Sequence, residues 1–388
     1  MSKKDLDYCR RCGSGKIVKR GKVFNAKKTL WRQQYFCKHC THKYLGNEQH
    51  MAESYSPPAF VYQDKLLPQI DWTAYNEAQL NEKELFLELL TGVLGLFEFE
   101  EIQRVGRPTN NAKDMLYSMV LKNYLKNSSR RTISDLKILQ DLNYVDQVPC
   151  YSTLMNFFND TKITSILEKM VELSALPLKE IEEDFAIDSS GFSTSVFGRW
   201  FDYKYDEEKE SRIYRKAHVM IGVKTNVVTS VQITKQSGEG SADINHYKPL
   251  LHKTAINFKV KEVSADMAYL SRVNLEETVQ LGAMPFIPFK SNVTGGGNGL
   301  VWRKLWLYFK DQPQDYFEHY HKRSNVETTF SMIKRKFGSN LMTKKYTANI
   351  NEILCKIICH NLCCLISAYY EFGIEKSFCT KAYENQKL

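Results

Sequence analysis

Apolar positions along this chain change rhythm as the sequence proceeds. From Asn81 to Phe97, in NEKELFLELLTGVLGLF, they recur at the three-to-four spacing of an amphipathic helix. Asn110–Leu125, Thr132–Leu142 and Tyr151–Phe158 repeat that pattern as three shorter helices separated by polar turns. From about residue 183 the runs shorten to strand length. Asp184-Phe-Ala-Ile-Asp188-Ser-Ser-Gly191 predicts a strand closing on an Asp and a glycine turn. Lys216–Val223 and Val227–Ile233, either side of Lys224-Thr-Asn226, predict a hairpin. Val260–Asp266 predicts a second strand ending on Asp. Ala283–Phe289 carries two prolines, which cannot donate to a ladder, and so predicts an edge strand. Helices fit from Asp243, after Tyr269 and around Tyr320. The order β, β-hairpin, α, β, α, β, α predicts an α/β fold, a mixed sheet flanked by helices and preceded by a helical region. Ile353–Tyr370 is the most apolar stretch, but Lys356, His360 and Asn361 interrupt it. A span needs about 20 clean apolar residues, so this stretch predicts a buried helix.

The first 46 residues follow neither rhythm. The whole chain of 388 residues carries a net charge of +10, and through Gly46 nine Lys and four Arg meet only two Asp. The charge therefore sits at the start of the chain, on a module suited to polyanions. With 43% apolar and 12% aromatic residues the remainder can build a sizeable core, which excludes general disorder. Pro57-Pro58 and Pro68 mark a linker. The resulting division is a head at 1–46, a linker at 47–80, a helical region at 81–178, an α/β domain at 179–370 and a tail at 371–388. Asn143–Pro149 joins the last two short helices in a way compatible with helix-turn-helix packing. Gly106-Arg107-Pro108 could enter a minor groove or simply turn the chain between domains.

Met1-Ser-Lys-Lys-Asp5 has no apolar run behind it, so no signal peptide is expected and the protein should be cytoplasmic. Cytosolic disulfides are rare, so the ten cysteines read as thiols or metal ligands. Cys9-Arg-Arg-Cys12 and Cys37-Lys-His-Cys40 are two knuckles with 24 residues between them. Such knuckles wrap four thiolates around one structural Zn²⁺, with the intervening chain returning as a hairpin. About 45 residues bury too little to fold alone, and metal binding would supply the missing free energy. His39 and His42 are alternative ligands nearby. Phe24, Trp31, Tyr35 and Phe36, interleaved with Lys and Arg, suit contact with nucleic acid or packing of the ribbon. Cys355, Cys359 and Cys363 repeat every four residues, the pattern of a small apolar stripe in a core more than of a metal site. Cys150, Cys364 and Cys379 carry no signal.

The stretch from Tyr320 to Lys334 poses a different question. Tyr320, Arg323, Glu327 and Lys334 sit at offsets 0, 3, 7 and 14. On one helix, at about 100° per residue, they fall near 0°, 300°, 340° and 320°, a single stripe. An ordinary solvated face would pair charges at i,i+4, yet only Arg323 and Glu327 are so spaced, in the weaker order. Asp188 and Asp266 each stand where a strand is expected to end, the place where open α/β sheets gather ligands. Three carboxylates without a His or Cys suit hard ions such as Mg²⁺ or Mn²⁺, two of which can drive phosphodiester chemistry.

Tyr320-x2-Arg323-x3-Glu327-x6-Lys334 resembles the Y-R-E-K signature of DDE insertion-sequence transposases. Ala186-Ile-Asp188-Ser and Ser264-Ala-Asp266-Met-Ala-Tyr269 resemble that family's two Asp motifs. The resemblance covers roughly residues 70–370. It implies a ribonuclease-H-like catalytic domain, with Asp188, Asp266 and Glu327 as catalytic ligands of two Mg²⁺ or Mn²⁺ ions. Tyr320, Arg323 and Lys334 would position DNA. It further implies cleavage at the terminal inverted repeats of an element and joining of 3′-hydroxyls to double-stranded target DNA. A homodimer or higher oligomer, near the nucleoid of a prokaryote, would do this with no membrane or small-molecule substrate. Two rivals share the residues: a transposase-derived DNA-binding protein without turnover, and a nuclease of the same fold. The zinc ribbon is not universal in the family. The 61 residues from Asp266 to Glu327 leave little room for the large β insertion of some relatives. Trp302 and Trp306 could stack on an extruded base but are expected to pack.

Overall fold

The computed structural model describes residues 12, 14, 16–25, 30–51, 71–99, 110–194, 214–236, 238, 240–290, 292–296, 299–375 and 378. Cys9, Cys379, Gly106–Pro108, most of the expected linker and nearly all of the expected tail lie outside these residues. The chain divides into two units, residues 1–69 and 70–388.

The first unit is an antiparallel meander of β1 (Ile17–Asn25), β2 (Leu30–Cys37) and β3 (Lys43–Met51). β2 delivers Cys37 into a tight turn in which the Cys37 N–H donates to the His42 carbonyl and the Thr41 N–H to the Cys37 carbonyl. Thr41 adopts a left-handed φ of 57° to make that turn. β3 runs past Gly46, where the sequence suggested the linker would begin. Tyr35 is buried, and the Arg20 guanidinium lies 5.0 Å from the centre of the Phe36 ring.

The second unit opens with α1 (Trp72–Leu80), a helix inside the stretch read as linker. Its start is marked by Asp71, whose carboxylate accepts the N–H groups of Thr73 and Ala74. The expected helices follow as α2 (Glu82–Leu94), α3 (Ala112–Tyr124), α4 (Ser129–Asp141) and α5 (Tyr151–Phe157). A further helix, α6 (Thr161–Ala175), was not anticipated, although Asp160 caps it.

A five-stranded mixed sheet comes next: β4 (Asp184–Ser193), β5 (Tyr214–Gly222), β6 (Val228–Lys235), β7 (Glu262–Ala265) and β8 (Met284–Phe286). The spatial order is β6-β5-β4-β7-β8, with β4, β7 and β8 parallel and β5 antiparallel to both its neighbours. β8, with Pro285, is an edge strand as expected. One expectation fails here. β4 does not turn at Gly191 but pairs with β5 as far as Ser193. Gly191 serves close packing instead, since a Cβ there would lie 3.2 Å from the Tyr214 ring.

The helices of the second half are α7 (Ile244–Asn257), α8 (Arg272–Gln280), α9 (Gly299–Asp311), α10 (Pro313–Tyr320), α11 (Ser324–Phe337) and α12 (Tyr346–Phe372). α12 is long and apolar enough to cross a bilayer, but 78% of its most apolar window is buried inside this fold. It packs on α6, α3, α2 and α1. The polar residues that interrupt it each pair with a backbone group of another segment. Lys356 donates to the carbonyls of Gly338 and Asn340, His360 to that of Asn226, and Asn361 pairs with both backbone groups of Val228 on β6. Cys355 and Cys359 are fully buried among them, with Cys363 partly so, which makes the cysteine stripe part of the core.

Candidate active site

Strand alternation puts Asp184, Ala186 and Asp188 of β4 on one face, beside Glu262 and Ser264 of parallel β7. The register pairs Asp184 with Glu262 and Ile187 with Ala265. Asp266 directly follows Ala265 and lies close enough to Asp188 for its charge to act on that carboxyl. Asp266 follows β7 and caps a 3-10 turn, Met267–Tyr269. Each Asp accepts the N–H of the next residue through Oδ1, Asp188 from Ser189 and Asp266 from Met267, both at 2.7 Å.

Over this face runs the Tyr320–Lys334 segment. It is not one helix, as the stripe assumed. α10 ends at Tyr320, residues His321–Arg323 form a tighter 3-10 turn, and α11 starts at Ser324. The sheet pins that turn at several points. Ser264 Oγ donates to the His319 carbonyl at 3.0 Å, and His319 Nδ1 lies 2.9 Å from Glu262 Oε2. Lys322 Nζ reaches Asp184 and Glu262, each at 2.7 Å. Arg323 then donates Nη1 to Asp188 Oδ2 at 2.6 Å and Nη2 to Glu327 Oε1 at 2.7 Å. Sequence reasoning missed Asp184, Glu262, His319 and Lys322. Their pairing is set by strand register, which local periodicity does not encode.

The other stripe residues are placed unequally. The Tyr320 ring centre is 6.0 Å from the Arg323 guanidinium carbon. Lys334 donates to Ser190 Oγ at 2.6 Å and lies 5.3 Å from the Phe192 ring, so it meets β4 two residues beyond Asp188. Burial pushes the Lys334 ammonium below its ordinary pKa. The Glu327 side chain is 63% exposed. Among the described residues the three carboxylates do not close on one point, since the one grouping of three potential ligands within 4.8 Å is a set of cysteines.

Burial pushes the Asp188 carboxyl above the usual carboxylate range, and Asp266 and Glu327 add repulsion that the Ser189 N–H and Arg323 only partly offset. A cation between these groups would relieve that repulsion. The donor set therefore fits a hard divalent ion: oxygen ligands alone, excess negative charge, and a guanidinium already drawn in. On the opposite side of β4, Ser189 Oγ donates to Asp243, which also takes Lys216 Nζ at 2.8 Å. The buried His218 ring stacks on His246 with centres 3.9 Å apart. Burial and the neighbouring His246 push the His218 pKa below its ordinary value, against the pull of Asp243.

In the first unit, the Sγ atoms of Cys12, Cys37 and Cys40 all lie within 4.8 Å of one another, and those of Cys12 and Cys37 are 3.7 Å apart. That is far longer than a disulfide. It matches the edge of about 3.8 Å expected for thiolates set tetrahedrally at about 2.3 Å from Zn²⁺. The fourth expected ligand, Cys9, is outside the described residues. Trp302 and Trp306 direct their indole N–H groups to the carbonyls of Thr294 and Val293, and Trp302 is buried against Phe289. Both hold a loop.

Residues 180–362 match the family model of the transposase DDE domain. The chain is 24% identical over 236 residues to a probable transposase for insertion sequence element ISA1214 of Archaeoglobus fulgidus, with 61% of this chain and 70% of the relative covered. It is also similar to a solved structure, the cryo-EM structure of the piggyBac transposase synaptic complex with hairpin DNA. That likeness has 11% identity, covers 78% of this chain and 76% of the other, and has a TM-score of 0.35.

Proposed function

We propose that this chain, which carries a transposase DDE domain over residues 180–362, is a DNA transposase that cuts at its element's inverted repeats and joins the 3′-hydroxyls to target DNA. The observation that carries the proposal is Asp188 on β4 beside Asp266, the residue just past the end of parallel β7, with Glu327 tied to Asp188 through Arg323. Asp188, Asp266 and Glu327 would hold Mg²⁺ or Mn²⁺, and two such ions would supply activation of an attacking hydroxyl and charge to offset the leaving oxygen. The chain's own groups supply the positioning. Arg323 and Lys334 offer cations to DNA phosphates along β4, and Tyr320 orients the strand beside Arg323. The Ser189 hydroxyl donates to Asp243 and the Ser190 hydroxyl accepts from Lys334, which ties both sides of β4 to neighbouring elements.

The mixed sheet with Asp-bearing strands supports a ribonuclease-H-like reading of residues 179–370. The helices of 81–178 and the basic cysteine head at 1–46 are the candidate readers of the element ends. The three converging thiols support structural Zn²⁺ there, bound by Cys9, Cys12, Cys37 and Cys40. A paired-end reaction calls for two or more copies of the chain on double-stranded DNA. The prokaryotic relative supports action in the cytoplasm, at the nucleoid.

The test is incubation of the protein with labelled DNA carrying the repeats that flank its coding sequence, plus target plasmid and Mg²⁺ or Mn²⁺. Metal-dependent nicks at the repeat tips with joined products are expected, and Glu327→Gln should bind the ends without cutting them. Cutting without joining would make it a nuclease. Tight binding without cutting in either metal would make it a DNA-binding relative and return the three carboxylates to structural duty. For the head, Cys37→Ser or a zinc chelator should release the metal and weaken binding to the repeats. Binding that survives complete zinc removal would show that the head is not the reader.

A further inference from the structure

Arg323 holds one oxygen on each of two carboxylates that the proposed ions would use. Its Nη1 is 2.6 Å from Asp188 Oδ2, and its Nη2 is 2.7 Å from Glu327 Oε1. The second oxygen of Asp188 already accepts the Ser189 N–H. Each Asp188 oxygen thus already accepts one hydrogen bond, and a divalent ion approaching Oδ2 meets the positive charge of the guanidinium at the same oxygen. A guanidinium cannot give way by losing its proton, because it remains charged at any working pH. It gives way by moving. The backbone around it is anchored separately, by Lys322 on Asp184 and Glu262 and by Ser264 on the His319 carbonyl, so the side chain can swing without the turn unfolding. With the Arg323 side chain 21% exposed and the Tyr320 ring 6.0 Å away, it has both an exit to the surface and an aromatic face beside it.

We infer that Arg323 is a resident counter-ion for Asp188 and Glu327, which a divalent ion must displace before the site is competent. Arg323 is thus a positioning residue with two stations: it holds the two carboxylates together before ion binding, and it is released toward the DNA phosphate afterwards. The inference rests on the metal-binding reading of the site, and its consequence is a competition. Removing one positive charge this close to a carboxylate is worth about one to three pKa units to a proton. A divalent ion should gain about tenfold or more in affinity from the same change.

The experiment is calorimetric titration of the zinc-loaded full chain with Mn²⁺, comparing wild type with Arg323→Gln, Arg323→Lys and Asp188→Asn. Arg323→Gln should bind Mn²⁺ about tenfold more tightly, Arg323→Lys should fall between it and wild type, and Asp188→Asn should lose the ion. Equal or weaker binding by Arg323→Gln, alongside loss in Asp188→Asn, overturns the counter-ion role and leaves the metal site standing. Wild-type protein with no Mn²⁺ binding sensitive to Asp188→Asn overturns both. A second measurement needs no variant: phenylglyoxal labelling of wild-type Arg323, read by mass spectrometry, should rise when Mn²⁺ is added. Labelling that stays level or falls contradicts displacement.

Discussion

Two charged clusters lie on one face of β4 and β7, and they are balanced differently. At the start of the strands, Asp184 and Glu262 are met by Lys322 and His319. Further along, beside Asp266, Asp188 and Glu327 share the Arg323 guanidinium, their one ion-pair partner among the described residues. The first cluster is settled. Against the upward push of burial, Lys322 and His319 hold Glu262 below the usual carboxylate range, while Asp184 and Glu262 hold Lys322 above the usual ammonium range. The second is under-compensated, with Asp188 pushed up by burial and by its acidic neighbours. The two clusters therefore differ in kind: one fixes the 3-10 turn to the sheet, and the other carries, among the described residues, the uncompensated negative charge that functional sites keep.

The largest expected effect falls on the second cluster. If the proposed activity is right, Asp188→Asn or Asp266→Asn should lower DNA cleavage roughly 10³-fold or more with the fold intact, because each would remove charge at the proposed reacting centre. Circular dichroism and end-cleavage rates on the same sample would separate the two outcomes, and residual cleavage near wild type would dissolve the contrast. Lys322→Ala should do the reverse. It strands Asp184 and Glu262, costing about 1–3 kcal/mol of unfolding free energy in denaturant titrations. Its cleavage rate should drop only as far as the folded fraction and the placing of Arg323 allow.

Acid should separate the clusters as well. Asp188 has a raised folded pKa, so on acidification it takes up its proton early and gives up divalent ions first. The same shift means that Asp188 itself gains stability, rather than losing it, as the proton goes on. Glu262 has a lowered folded pKa, so its contribution is complete above the unfolded value and is lost only as pH falls through the lower folded value. Mn²⁺ binding should therefore fail at a higher pH than the fold does. Loss of both in one step would show that the clusters titrate together. The smallest effect should come from Glu327→Gln, whose exposed side chain should change stability by less than about 0.5 kcal/mol while cleavage is lost.

Much of this arrangement could be read from the chain because the relevant signals are local. The hairpin around Lys224-Thr-Asn226, the proline-bearing edge strand and the Asp just past β7 all follow from a few consecutive residues. The cysteine knuckles and the alignment of Arg323, Glu327 and Lys334 are also local patterns. What escaped depends on distant partners. Gly191 looks like a turn until β5 is seen paired alongside it as far as Tyr214. The break at His321–Arg323 is fixed by Ser264, Asp184 and Glu262, more than fifty residues away. The settled cluster was invisible for the same reason. α1 and α6 were legible in principle, since Asp71 and Asp160 carry ordinary N-cap signals.

The most direct test of the central claim is to locate the ion. Fe²⁺ in place of Mg²⁺, with ascorbate and peroxide, generates hydroxyl radicals that cut the polypeptide beside the bound metal. Cuts near Asp188, Asp266 and Glu327 that Mg²⁺ suppresses and Asp188→Asn abolishes are the predicted result. Cuts near Asp184 and Glu262 instead, or none outside the cysteine head, would contradict the assignment.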